Sequence, residues 1–219
     1  MKRLLLTIAS LILIAGCSGA SDVTPVPVVE IEREIPPEFI TYTSEGLFSI
    51  SYPPELIDMT SMQEEISEDV KETMQATDPE FDLESFQYVF TGIMPINNET
   101  NVFLLVSVEP VALGMPLDVY FEYLEGEYKH GGEYFQGFRV HSLAKTVVGG
   151  REAIISDTQI LDAELGESRD LDLYMIKDSL LWEVHCSAAP EDFEDYEDTF
   201  YSILSSFRVL TDWRSRWTM

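Results

Sequence analysis

After about residue 45 the spacing of apolar residues changes period repeatedly, and each change marks an element. Phe48, Ile50 and Tyr52 alternate with Ser49 and Ser51 before Pro53-Pro54, the two-residue period of a strand. Ser61-Met62-Gln63-Glu64 is a capping box ahead of Met62, Ile66, Val70 and Met74, which predicts a helix ending at Asp78-Pro79. Residues 85–94 and 101–109 are β-rich and flank Pro95-Ile96-Asn97-Asn98-Glu99, so they read as a hairpin. Pro116 suits the first turn of a helix. Leu117, Tyr120, Phe121, Leu124 and Tyr128 then share one face, and Gly131-Gly132 are expected to close it. Four strands are predicted over 138–148, 152–161, 170–177 and 180–188, with turns at Gly149-Gly150 and Lys177-Asp178-Ser179. Pro190 opens a last helix whose inner face is Phe193, Tyr196, Phe200, Ile203, Leu204 and Phe207.

The order β-α-β-β-α-β-β-β-β-α favours an α+β fold with a mostly antiparallel sheet. Residues 102–109 and 180–188 are apolar on both sides, as central strands covered on two faces are. The expected architecture is a single α/β/α sandwich over 45–210, about 165 residues in one domain, with a short C-terminal tail at 211–219.

Charge changes the picture more than composition does. With 13 Lys and Arg against 40 Asp and Glu, the chain carries −27, which repels phosphate backbones and argues against a nucleic-acid partner. Most basic residues are scattered, but Lys2 and Arg3 precede Leu4–Ile14, an uncharged run of eleven residues. As a helix that run spans ~16 Å, about half of a ~30 Å hydrocarbon core, so it reads as a secretory leader rather than a permanent span. It ends in Ile14-Ala15-Gly16-Cys17, which resembles the lipobox of bacterial lipoproteins, with Ile14 where Leu is usual. The resemblance implies a signal peptide over 1–16, lipidation of Cys17 and membrane attachment through it. Several acyl chains, palmitate among them, would hold firmly where one would not. Residues 17–44, with Pro25, Pro27, Pro36 and Pro37, are then expected to be a polyproline-rich tether. Cys186 is left without a disulfide partner and, in an apolar strand, reads as a small buried hydrophobe.

Leu47-Phe48-Ser49-Ile50-Ser51-Tyr52-Pro53 resembles the opening strand of PsbP/Mog1-like domains. Gly150-x-x-Ala153, Tyr174, Trp182-x-Val184-x-Cys186-x-Ala188 and the helix ending Ile203-Leu204-Ser205-Ser206-Phe207 are similar to the same group's C-terminal half. The group's usual Gly-Trp after the first proline is replaced by Pro54-Glu55-Leu56. The resemblance implies a non-catalytic binding fold and transfers no partner, because function sits in sites built on folds.

Candidate chemistry is sparse. No G-x-S-x-G, Walker loop, G-x-G-x-x-G or HExxH occurs. Asp162 and Glu164, with Glu167, lie in a loop before Asp170 and Asp172, which share one side of a strand. This set is the candidate for a divalent cation such as calcium or manganese, although no EF-hand spacing is present. The acid run 191–198 lies opposite Phe193, Tyr196 and Phe200, as a solvated helix face does. His130 and His141 have no partner at metal spacing; His185 shares a strand side with Glu183, either as a sheet pair or as an acid–base pair. Trp213-Arg214-Ser215-Arg216-Trp217 is a basic–aromatic tail, read as packing back on the domain or as an interface anchor. The reading is of a lipid-anchored, extracytoplasmic, non-enzymatic binding or assembly module for a protein or small ligand, without a cofactor. The alternatives are a divalent-cation-binding envelope protein and, third, an envelope hydrolase.

Overall fold

In the computed structural model the described residues are 29–31, 33–44, 47–60, 87–95, 101–134, 137–162 and 166–210. The predicted helix over 61–78, the leader, Cys17, Glu164 and the 211–219 tail lie outside them.

Eleven strands and two helices are described: β1 (Val29–Glu30), β2 (Ile40–Ser44), β3 (Phe48–Tyr52), β4 (Ile57–Asp58), β5 (Gln87–Pro95), β6 (Asn101–Pro110), α1 (Leu117–Tyr134), β7 (Arg139–Val148), β8 (Arg151–Asp162), β9 (Gly166–Lys177), β10 (Leu180–Ala188), α2 (Pro190–Ser206) and β11 (Arg208–Val209). Eight strands form one sheet in the order β1-β7-β8-β9-β10-β6-β5-β4, and β11-β3-β2 form a second. Every described pairing is antiparallel except β1 with β7. The fold is α+β and mostly antiparallel, with strands 6 and 10 central as their two-sided apolar pattern requires.

Alternation along β9 and β10 divides the large sheet's faces. Leu171, Leu173 and Met175 with Trp182, Val184 and Cys186 face a core completed by Phe193, Phe200, Ile203, Leu204 and Phe207 of α2 and its C-terminal cap. Phe48 and Ile50 of the small sheet complete that core, Phe48 lying 5.7 Å from the Trp182 ring. One face is therefore covered by a helix together with a second sheet, an addition to the single sheet that the sequence suggests. The opposite face takes Ile154, Tyr174 and Leu181 under Tyr120, Phe121 and Leu124 of α1.

Two local features depart from expectation. Helix α1 continues through Gly131-Gly132, because Gly131 is a close-approach position. A Cβ there would lie 2.4 Å from the Phe138 ring. Within the expected tether, residues 29–30 and 40–44 do not stand outside the fold either, since β1 pairs with β7 and β2 with β3. Among the described residues no helix is long and apolar enough to cross a membrane.

Candidate functional site

The chemistry-bearing side chains gather on the α1 face of the large sheet. A two-residue turn at Asp178-Ser179, both at positive φ, sets the β9–β10 register so that His185 lies opposite Asp172, Ser187 opposite Asp170 and Glu183 opposite Tyr174. The next strands outward bring Ser107 beside Glu183 and Ser156 beside Asp172.

These groups form one hydrogen-bonded seam. His185 Nδ1 donates to Asp172 Oδ1 at 2.6 Å, and His185 Nε2 lies 3.9 Å from Asp170 Oδ1. Ser187 Oγ donates to Asp170 at 2.5 Å and Ser168 Oγ to its other oxygen at 3.3 Å. Ser156 Oγ donates to Asp172 Oδ2 and receives a bond from Tyr128 OH of α1 at 3.0 Å. Ser107 Oγ donates to Glu183 at 3.0 Å. Asp170 and Asp172 are only 2% and 5% exposed, whereas the His185 side chain keeps 12% of its surface exposed, so the seam is buried at its aspartates and partly open at its histidine.

Burial decides its electrostatics. It pushes the Asp170 carboxyl up to about 6, with Asp172 adding to the rise and His185 and the serines opposing it. Glu183 goes up to about 7 through burial and then the nearby Asp172 charge, and Glu109, at the end of the same face, goes up to about 7 through burial and Glu183. Burial alone would lower the His185 imidazolium. The charge and hydrogen bond of Asp172, then Asp170 and Glu183, outweigh it and raise His185 to about 9. The His185 imidazolium thus lies among carboxyls of which Asp170, Glu183 and Glu109 retain protons more strongly than in water. The seam's serine hydroxyls all donate to carboxylates, so none of them is paired with a base as an activated nucleophile would be.

The Glu183–His185 pair of the sequence reading is therefore part of a larger sheet-borne network. Asp170 and Asp172 belong to it as well, while Asp162 pairs with Gly166 at the far tip of the β8–β9 hairpin. Four ladder positions separate Asp162 from Thr158, the partner of Asp170, roughly 13 Å along the strand. The structure thus does not bring Asp162 to the two aspartates, and among the described residues no group of three or more His, Cys, Asp or Glu side chains is placed to hold a metal. Buried Cys186 has its thiol pushed well up by burial, as an inert core residue does. The 191–198 acids ride on α2 with Glu191 and Asp192 in its first turn, where they complement the helix dipole.

A cleft of about 400 Å³ opens on the other side of the sheet, between the chain after β1, the β7–β8 turn and the end of α2. Arg33, Glu34, Ser205 and Arg208 line it together with Ile31 and Ile35. Sequence reasoning missed it, since Arg33 and Arg208 lie at opposite ends of the domain.

No family model and no curated protein matches the chain. Among solved structures it is similar to the cyanobacterial PsbP of Synechocystis, at 14% identity and a TM-score of 0.50, over 88% of this chain and 98% of that one. It also overlaps LpqN of Mycobacterium tuberculosis, described as involved in cell envelope biogenesis, at 10% identity and a TM-score of 0.45, over 58% and 80% of the two chains. A third overlap is with the T6SS immunity protein TplEi of Pseudomonas aeruginosa, at 11% identity and a TM-score of 0.44, over 80% and 99%. The likeness to the cyanobacterial protein is one of fold, and in that sense the architecture described above is PsbP-like.

Proposed function

We propose that this protein is a lipid-anchored, extracytoplasmic binding or assembly module that acts without catalysis. The observation that supports the non-catalytic part is the seam. Its two aspartates are buried, and its histidine and serines are committed to hydrogen bonds with carboxylates rather than paired as base and nucleophile. The PsbP-like fold is consistent with such a role, though fold alone assigns no partner. The anchoring part rests on Ile14-Ala15-Gly16-Cys17 behind a short apolar run. An anchor would have to supply the membrane affinity, since a chain from Cys17 onward, without Lys2 and Arg3, carries 11 basic against 40 acidic residues and at −29 avoids anionic bilayers.

Metabolic labelling with radioactive palmitate is expected to mark the full-length protein and to fail in Cys17→Ser. Label retained in that variant, or an unprocessed Met1 found in the cytosol by intact-mass spectrometry, would overturn the anchoring. Crosslinking in native membranes, followed by mass spectrometry, is expected to recover a recurrent partner. Hydrolysis of ester, peptide or glycan substrates that disappears in Glu183→Gln and His185→Ala would overturn the non-catalytic reading.

A further inference from the structure

The cleft beside β1 is lined by two arginines in a strongly acidic chain. Only 13 of the 219 residues are Lys or Arg, yet four of them collect at this end of the sheet. Arg33 and Arg208 line the cleft itself. Arg151 follows the Gly149-Gly150 turn and pairs with Val148, and the β8–β9 register carried three positions past Ile154–Tyr174 brings it level with Lys177. Lys177 Nζ donates to the carbonyl of Val209, the neighbour of Arg208.

Both cleft guanidiniums are held in place. Arg208 Nη1 donates to the carbonyls of Ser205 at 2.7 Å and Phe207 at 2.8 Å, so among the described residues its Nη2 donors are uncommitted. Gly149 makes room for it. With φ +58, any Cβ there would lie 2.6–2.8 Å from Nε, Cζ and Cδ of Arg208. Arg33 lies over the Tyr201 ring at 5.5 Å and meets Asp198 at 3.5 Å, an exposed pair that a better anion can displace. A guanidinium fork matches the oxygens of phosphate or carboxylate. One carboxylate is satisfied by one fork, whereas a phosphate has the oxygens and the charge for two.

The geometry points to this cleft as a binding site for a phosphate-bearing anion, gripped by Arg33 and Arg208 with Arg151 and Lys177 behind them. Glu34 on the rim would exclude ligands that place further negative charge beside the phosphate. Two sources share this chemistry, a small soluble phosphate compound and a phospholipid headgroup. The second rests on the anchoring proposed above, since sixteen residues from Cys17 to Arg33 reach at most ~55 Å from a bilayer.

The test is calorimetric titration of the full-length chain in neutral detergent micelles with inorganic phosphate and, separately, with short-chain phosphatidylglycerol, using short-chain phosphatidylcholine as the headgroup control. Saturable binding of either probe is expected, with Arg33→Gln and Arg208→Gln each weakening it at least tenfold and Arg139→Gln, at the far end of β7, changing it less than twofold. Phosphate alone binding identifies a soluble ligand; phosphatidylglycerol alone, with phosphatidylcholine silent, identifies a headgroup. Because Arg208 also holds two helix-end carbonyls, Arg33→Gln, whose side chain is 52% exposed, separates lost binding from lost folding. Silence with both probes, or affinity indifferent to both arginines, overturns the site. Turnover of a bound phosphomonoester would overturn the non-catalytic reading while leaving the site standing, and binding by protein that takes up no palmitate would do the same for the anchor.

Discussion

Raising the pH through neutrality is expected to destabilise this protein, the reverse of the trend in folds held by salt-bridged carboxylates. In Asp170, Glu183, Glu109 and His185 the folded state holds its proton more tightly than the unfolded chain does, with values raised to about 6, 7, 7 and 9. A group raised in this way contributes its full stabilisation below its unfolded value and loses it as pH climbs through the folded one. The loss therefore begins near pH 4 with the carboxyls and is steepest at about pH 5–6, where all three still hold protons that the unfolded chain has released. It continues through 7–8 and ends about one unit above 9 as His185 finishes giving up its proton. Between about pH 7 and 8 the folded form holds on the order of one to two more protons than the unfolded form. That corresponds to a slope of about −1.4 to −2.8 kcal/mol per pH unit. Glu183 is linked by its charge to His185 and to Glu109, so the slope belongs to the set rather than to any one group. Against a total stability of ~5–15 kcal/mol such a slope is large.

Urea denaturation at several pH values from about 6 to 9 reads this slope directly, in enough salt to screen the general self-repulsion of a −27 surface. Glu183→Gln keeps the shape and the bond from Ser107 while removing one titration, and it should flatten the slope near pH 7 by on the order of 0.7 kcal/mol per unit. Stability that is constant or rising between pH 6 and 8.5 would refute the account of the seam, as would an unchanged slope in Glu183→Gln.

Phe200 is fully buried between Phe193 and Tyr196, and Phe200→Ala should remove about 3–5 kcal/mol, seen as a melting temperature lower by roughly 10 °C. Arg169 grips Asp157 with two hydrogen bonds, at 2.9 and 2.7 Å, and lies 4.2 Å over Phe193. Arg169→Gln leaves a carboxylate that is 9% exposed without its partner and should lose about 3–5 kcal/mol, whereas pairing Arg169→Met with Asp157→Leu should recover most of it in urea titration. Ser179 has φ 65 in a turn that favours glycine, so Ser179→Gly should raise stability by about 1 kcal/mol, and a lower melting point would contradict that reading of the turn.

Hydrophobic period was the most legible layer of the sequence. The Tyr120, Phe121, Leu124 stripe does lie against the sheet, and the β7–β8 and β9–β10 hairpins form where the turn chemistry places them. The seam was not legible. Strands ending at Lys177 and starting at Leu180 agree with the observed pairing of those two residues, and that register sets His185 opposite Asp172. The sequence reading does not carry the register along the strands, so a cation site and an acid–base pair stay two unrelated candidates instead of one network. Asp178 and Ser179 adopt positive φ without the glycine that announces such a turn, so nothing local in the sequence fixes the register firmly.

The start of the domain shows how backbone donors decide a boundary that composition misplaces. Prolines mark 18–44 as tether, yet Val29 and Glu30 lie in the large sheet and the Ile31 N–H reaches the Val147 carbonyl at 3.2 Å. In a parallel ladder alternate residues donate to the neighbour, so with Ile31 donating toward β7 it is the odd positions that must supply N–H groups. Val29 can do so; Pro27 and Pro25 have none. Prolines at 25, 27, 36 and 37 thus do not exclude residues 29–30 and 40–44 from the sheets. Pro36 accepts the turn bond from Phe39 N–H that sends the chain into β2, so the later prolines serve a turn inside the domain. That short excursion from β1 to β2 is what carries Arg33 to the end of α2, and the basic cleft exists because the chain from residue 29 onward packs into the fold instead of standing off it as a tether.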